Sequence, residues 1–186
     1  MDIQAELKKT QEAMGKVSQY VLNEFDTVHT GKASTSMVEG VVVEVYGSNM
    51  RLKEVAAITT PDPQTIRVQP WDKSILKAVE KAILAANVGL TPAVMGDAVR
   101  CPVPALSRER REELVKICND MAEQGRVRVR NVRRDALDAF KKAQKDGLIT
   151  EDDLKRVEKD VQNLTDKAIN GINKDLADKE ADIKQI

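Results

Sequence analysis

From Ser107 to Lys145 the chain runs without a proline, and small or apolar residues recur at Cys118, Ala122, Gly125, Val129, Val132, Ala136 and Phe140. Steps of three and four place these on one stripe of an α-helix. Ser107 is a suitable N-cap, and acidic Glu109 falls in the first turn, where the helix dipole favours it. Gly125 is the weak point, costing about 1 kcal/mol relative to Ala. At 1.5 Å per residue the helix would be about 58 Å long. A helix of that length with one apolar stripe needs partner helices of comparable length.

Two such partners are present. From Asp2 to about Thr30, Ile3, Leu7, Met14, Val17, Val21, Phe25 and Val28 mark the narrow seam of a bundle or coiled-coil helix. After a short turn at Asp146-Gly147-Leu148-Ile149, Thr150 with Asp153 opens a third helix. Leu154, Val157, Val161, Leu164, Ala168, Ile172, Leu176 and Ile183 carry its seam. The short turn forces the last two helices to run antiparallel.

The residues between have another character. Gly40–Tyr46 is β-branched and reads as a strand, followed by a turn at Gly47-Ser48-Asn49. A second strand is expected over Arg51–Ile58, a turn at Pro61-Asp62-Pro63, and a third strand over Thr65–Gln69. Asp72 caps a helix predicted to reach Ala86, with Gly89 as its terminator. A last extended stretch covers Ala98–Val103, which Pro102 and Pro104 assign to an edge or a strand end. The expected fold is therefore α+β in two domains: a long three-helix bundle (1–30 plus 105–186) with an inserted small, mostly β domain (31–104). The two crossings near residues 30–34 and 102–106 form a natural hinge.

The charge pattern points to a function. Thirty basic and thirty acidic residues cancel overall, yet five arginines fall between positions 126 and 134 with no acid among them. At 100° per residue Arg126, Arg130, Arg133 and Arg134 share one arc beside the apolar stripe, while Arg128 lies on the other flank. Arginine suits bidentate phosphate recognition, and a single-sign arc repels itself until something anionic covers it. A solvated helix face is the ordinary explanation of a charge run. The absence of lysine from this one and its shortage of i,i+4 acids favour an RNA or other polyanion surface. Aromatic residues make up 3% of the chain, too few for base-stacking platforms.

Other chemistry is not signalled. His29 is the single histidine, and no Ser or Cys stands beside it in a nucleophile context. Cys101 and Cys118 lack metal-ligand spacing and read as reduced, buried residues. Glu151-Asp152-Asp153 reads as first-turn acids, and no glycine pattern forms a nucleotide loop. No enzyme, cofactor or metal is expected. Charges at Asp2, Glu6, Lys8 and Lys9 break up any signal-peptide core, and no apolar run is of membrane-spanning length, so a cytoplasmic protein is expected.

Val129-Arg130-Asn131-Val132-Arg133-Arg134-Asp135-Ala136 resembles the arginine motif of the ribosome recycling factor family. Arg100-Cys101-Pro102-Val103-Pro104-Ala105-Leu106-Ser107-Arg108-Glu109-Arg110-Arg111 is similar to that family's passage from inserted domain back to bundle. Thr30-Gly31-Lys32-Ala33-Ser34 resembles its first hinge, and Ala177-Asp178-Lys179-Glu180 its C-terminal end. The resemblance covers the whole chain. It implies a translation factor that acts with elongation factor G and GTP to dissociate post-termination ribosomes into subunits. The bundle would bind large-subunit rRNA at the intersubunit face, the factor being a monomer with no membrane partner. The family's most sensitive arginine matches Arg133, with Arg130, Arg134 and Arg126 beside it. Gly31, Lys32, Pro104 and Ala105 match the hinge. Where the family commonly has arginines flanking the first hinge's Thr-Gly, His29 and Lys32 stand here; a lysine keeps the charge and loses the fork. The alternative, from another class, is a structural helical adaptor whose arginine face binds an acidic protein.

Overall fold

The computed structural model describes residues 1–185; Ile186, the last residue of the expected bundle, lies outside the described residues. In chain order the elements are α1 (Ile3–Asp26), β1 (Val42–Val45), β2 (Ser48–Arg51), α2 (Leu52–Val55), β3 (Ala56–Asp62), β4 (Thr65–Pro70), α3 (Leu76–Ala85), β5 (Ala93–Met95), β6 (Ala98–Pro102), α4 (Arg108–Lys145) and α5 (Glu151–Lys184). They fall into two compact units, Met1–His29 with Arg108–Gln185, and Thr30–Ser107.

The first unit is three helices, with α4 packed along α5 and α1 along both. Asp2 caps α1 by accepting the Ala5 N–H at 3.1 Å. Thr150 and Asp153 form a reciprocal capping box that starts α5, satisfying N–H groups that a helix start otherwise leaves unpaired. Between α4 and α5, Gly147 adopts φ 72°, which lets the Leu148 N–H reach back to the Ala143 carbonyl at 2.9 Å and turns the chain antiparallel. The buried faces are Met14, Val21 and Phe25 of α1, Leu114, Cys118, Ala122, Gly125, Val129 and Phe140 of α4, and Val157, Val161, Ile172, Leu176 and Ile183 of α5. Each large apolar side chain so buried contributes about 1.5–3 kcal/mol. Thr165 is also buried; its hydroxyl donates to the Val161 carbonyl at 2.8 Å, so no polar atom is left unpaired there.

The second unit has its own core, built on Val43, Leu52, Ile66, Val68, Val79, Ile83, Val99 and Cys101. β1 and β2 form one antiparallel hairpin, and the second sheet is antiparallel in the order β3-β4-β6-β5. Several elements differ from expectation. The strand expected over Arg51–Ile58 is interrupted by the helical turn α2, in which Glu54 accepts the Arg51 N–H at 2.8 Å. Leu52 and Val55 are both buried; three residues apart, they share a face in a helix and would face opposite ways in a strand. β6 is an inner strand, and Pro102 is tolerated as its last residue, opposite Thr65. β3 continues through Pro61 on the edge of the sheet, with its register shifted between Thr59 and Asp62. The turn therefore falls on Pro63-Gln64, where Asp62 accepts the Gln64 N–H at 2.9 Å. The hairpin turn likewise sits on Tyr46 and Gly47, at φ 53° and 75°, so that Ser48 and Asn49 belong to β2. The expected helix from Asp72 divides into a 3₁₀ turn (Lys73–Ile75) and α3. β5 was not anticipated, because all of its residues are exposed and show no alternation.

Candidate nucleic-acid interface

The four arginines of the arc lie on α4, and α5 runs beside them, but they are not equivalent. The Arg126 side chain is 20% exposed. Its Nε donates to Asn173 Oδ1 at 2.8 Å, and its Nη1 to Glu123 Oε2 at 2.9 Å. Arg130 Nη1 donates to the other oxygen of Glu123 at 3.1 Å. Those two hydrogen bonds, Arg126's first, hold the Glu123 carboxyl below its ordinary pKa. Arg133 Nη1 donates to Gln162 Oε1 of α5 at 3.2 Å. Arg134, 68% exposed, makes a long ion pair to Asp135 at 3.8 Å. The shortage of i,i+4 acids therefore does not leave the arc without an acid: Glu123 pairs at spacings of three and seven. Glu123, one turn before the run and on the same arc, serves both Arg126 and Arg130. The run taken by itself excluded it, although its spacing of three and seven from those arginines places it on their face.

Arg130, Arg133 and Arg134 line a groove of about 490 Å³, together with Leu137, Lys141, Gln162, Asn131 and Asp138. Arg126 is not among the lining residues; through Asn173 it ties α4 to α5. Lys141 and Gln162 were missed by the sequence reading. Lys141 lies two turns beyond Arg134 at nearly the same angle, so helical spacing alone would have found it; Gln162 required knowledge of how α4 and α5 pair. The groove offers three guanidinium forks and one ammonium over a partly apolar floor. With a single carboxylate, Asp138, at the groove against four cationic groups, that composition suits phosphate oxygens of a polyanion. Arg128 is elsewhere: its guanidinium lies 4.3 Å from the centre of the Tyr20 ring, linking α4 to α1.

The expected hinge residues sit on the two segments that bound the second unit. Gly31 has φ 76°, a backbone angle glycine adopts without penalty; Lys32, Pro104 and Ala105 are exposed, as is His29. Just inside them, the Ala33 N–H donates to the Pro63 carbonyl and the Val103 N–H to the Gln64 carbonyl, each at 2.7 Å. Both segments are therefore pinned to the β3–β4 turn at Ala33 and Val103. Among the described residues no cluster of three His, Cys, Asp or Glu is arranged to hold a metal ion. No described helix is long and apolar enough to cross a membrane.

A three-helix bundle with a basic groove between two of its helices, its chain interrupted by a small antiparallel β unit, defines the class: a two-unit α+β protein with a polycationic helix face. Within that class the comparisons are specific. The family model for ribosome recycling factor matches residues 21–183. The ribosome-recycling factor of Bradyrhizobium sp. (strain ORS 278) is 47% identical over 178 residues, covering 96% of this chain and 95% of the relative. That of Carboxydothermus hydrogenoformans is 44% identical over 184 residues, covering 99% and 100%. A solution structure of ribosome recycling factor superposes with a TM-score of 0.72 at 38% identity, covering 100% of this chain and 99% of that one. A second similar structure presents models for the T. thermophilus ribosome recycling factor and the E. coli elongation factor G bound to the E. coli post-termination complex. Its TM-score is 0.63 at 38% identity, and it covers 98% of this chain and 99% of that one. The chain belongs to the ribosome recycling factor family.

Proposed function

We propose that this protein acts on the post-termination ribosome, and that with elongation factor G and GTP hydrolysis by that partner it separates the ribosome into subunits for reuse. It performs no covalent chemistry; its work is binding and leverage, as a monomer in the cytoplasm. The bundle docks on large-subunit rRNA at the intersubunit face through Arg130, Arg133 and Arg134, while Arg126 braces α4 against α5. The inserted unit moves relative to the bundle about Gly31-Lys32 and Pro104-Ala105.

The observation that carries this reading is the match over nearly the whole chain to ribosome-recycling factors, with the arginine motif lining an open groove. The neighbouring structure with elongation factor G on a post-termination complex supports the choice of partner. The test is subunit splitting of purified post-termination complexes, followed by light scattering. Splitting should need the protein, elongation factor G and GTP together. Full splitting without either partner, or none with all three, would overturn the proposal. An adaptor that binds an acidic protein would instead leave ribosomes intact and show little salt dependence, because few counterions are released.

A further inference from the structure

The groove contains one arginine held in a way the others are not. Glu123 holds Arg130 and Arg126 through a carboxylate, which cancels part of their charge. Arg133 is held by a neutral amide, Gln162 Oε1, at 3.2 Å. Gln162 in turn donates through Nε2 to Asp166 Oδ1 at 2.9 Å, one turn further along α5. A carboxylate only accepts, so Asp166 fixes which end of the amide it receives and leaves the carbonyl oxygen facing α4. The bond to Gln162 uses one of the five guanidinium donors of Arg133; the rest stay available for a phosphate.

We propose that Gln162, oriented by Asp166, is the positioning residue for Arg133: it holds the guanidinium in the groove without neutralising it, so that a phosphate meets a fork already ordered and fully charged. This rests on the reading of the groove as an RNA surface. An arginine fixed before binding loses less rotamer freedom when the phosphate arrives, and a neutral acceptor leaves its full charge for the phosphate. A carboxylate at 162 would hold the side chain equally well and remove that advantage.

The experiment measures binding to large ribosomal subunits across a salt series, for the whole protein and its variants. Gln162→Glu should bind about tenfold more weakly, with a salt dependence shallower by about one phosphate contact. Gln162→Leu and Asp166→Ala should weaken binding severalfold with the salt dependence kept, because the charge remains and only its placement is lost. In an Arg133→Ala background Gln162→Leu and Asp166→Ala should have no further effect, which separates positioning from any general role of Gln162 in the bundle. Thermal unfolding of each variant checks that the bundle is intact. If Arg133→Ala weakens binding but the Gln162 variants leave affinity and salt slope unchanged, or if the losses of Gln162→Leu and Asp166→Ala persist without Arg133, the positioning role is wrong and the groove reading stands. If Arg133→Ala itself leaves binding unchanged, both are wrong.

Discussion

Gly125 of α4 lies against Val21 of α1 so closely that a β-carbon on Gly125 would run into Val21 Cγ2, with Ile172 of α5 at 3.4 Å on the same side. All three helices meet at this point, and the missing side chain is what lets them. The helix-propensity cost of glycine, about 1 kcal/mol, is thereby offset by close packing. Gly125→Ala should consequently destabilise the bundle despite alanine's better propensity, since overpacking a filled core costs about 1–3 kcal/mol. Urea unfolding should show a lower midpoint with the slope unchanged; a higher midpoint would mean that Val21 moves aside freely.

The long helices were legible because their signal is repeated many times: one apolar stripe over ten turns survives a misplaced residue or two, and Val132 and Ala136 prove only half-buried without altering the pattern. The short strands carry no such redundancy. Lys53-Glu54 suits a strand poorly, but only packing reveals that Leu52 and Val55 must share a face. Turn positions slipped by one or two residues at Pro63 and Tyr46, where tertiary pairing overrides local preference. In the groove, the arginines were visible as residue types. The division between braced Arg126 and groove-lining Arg130, Arg133 and Arg134 depends on Glu123, Asn173 and Gln162, two of which belong to another helix.

That division predicts different phenotypes for neighbouring arginines. Arg126→Ala removes two hydrogen bonds from a mostly covered side chain and should cost about 1 kcal/mol of bundle stability. Arg133→Ala should change stability by less than about 0.5 kcal/mol yet weaken ribosome binding by about 1–3 kcal/mol. Arg128→Ala, off the groove, should lose about 0.5–1 kcal/mol with the Tyr20 contact and leave binding unaltered. Paired melting and binding measurements check all three; equal binding losses for Arg126 and Arg133 would refute the distinction.

Each unit holds one fully buried cysteine, Cys118 in the bundle and Cys101 in the β unit. Val161 is fully buried in the seam of α5, and Val161→Asp places an unpaired charge there, which should unfold the bundle. Because the β unit's core is its own, Cys118 should become reactive to a thiol reagent while Cys101 stays protected. Simultaneous exposure of both would show that the units fold as one.

Burial pushes the Cys101 thiol up from 9.0 to about 11. The neutral thiol is therefore favoured in the folded state. As pH rises from about 9 the unfolded chain releases this proton and the folded chain keeps it until about 11, so stability falls across that window. Cys101→Ala removes this contribution. The β unit of the variant should lose less stability between those pH values than the native protein does, and an identical pH profile would mean that Cys101 is not the group responsible.

The last prediction concerns motion. Ala33 and Val103 are pinned to adjacent residues of one turn, Pro63 and Gln64, so the segments free to change lie outside them, at Thr30-Gly31-Lys32 and at Pro104–Ser107. Of the first segment, Gly31 alone has a left-handed backbone angle, which a β-branched residue reaches only at a cost of about 1–2 kcal/mol. Pro104 stiffens the other segment. Gly31→Val should therefore restrict the first crossing and leave the arginine groove intact; Gly31 is itself buried, so thermal unfolding of the variant first checks that both units stay folded. Ribosome binding should stay within about twofold, a free-energy change of about 0.4 kcal/mol, because the phosphate contacts proposed for it are on α4. Splitting with elongation factor G and GTP should fall tenfold or more if the inserted unit must turn about Gly31. A Gly31→Val protein that splits ribosomes at the native rate would show that the left-handed angle at this crossing is a feature of the resting chain and plays no part in the work.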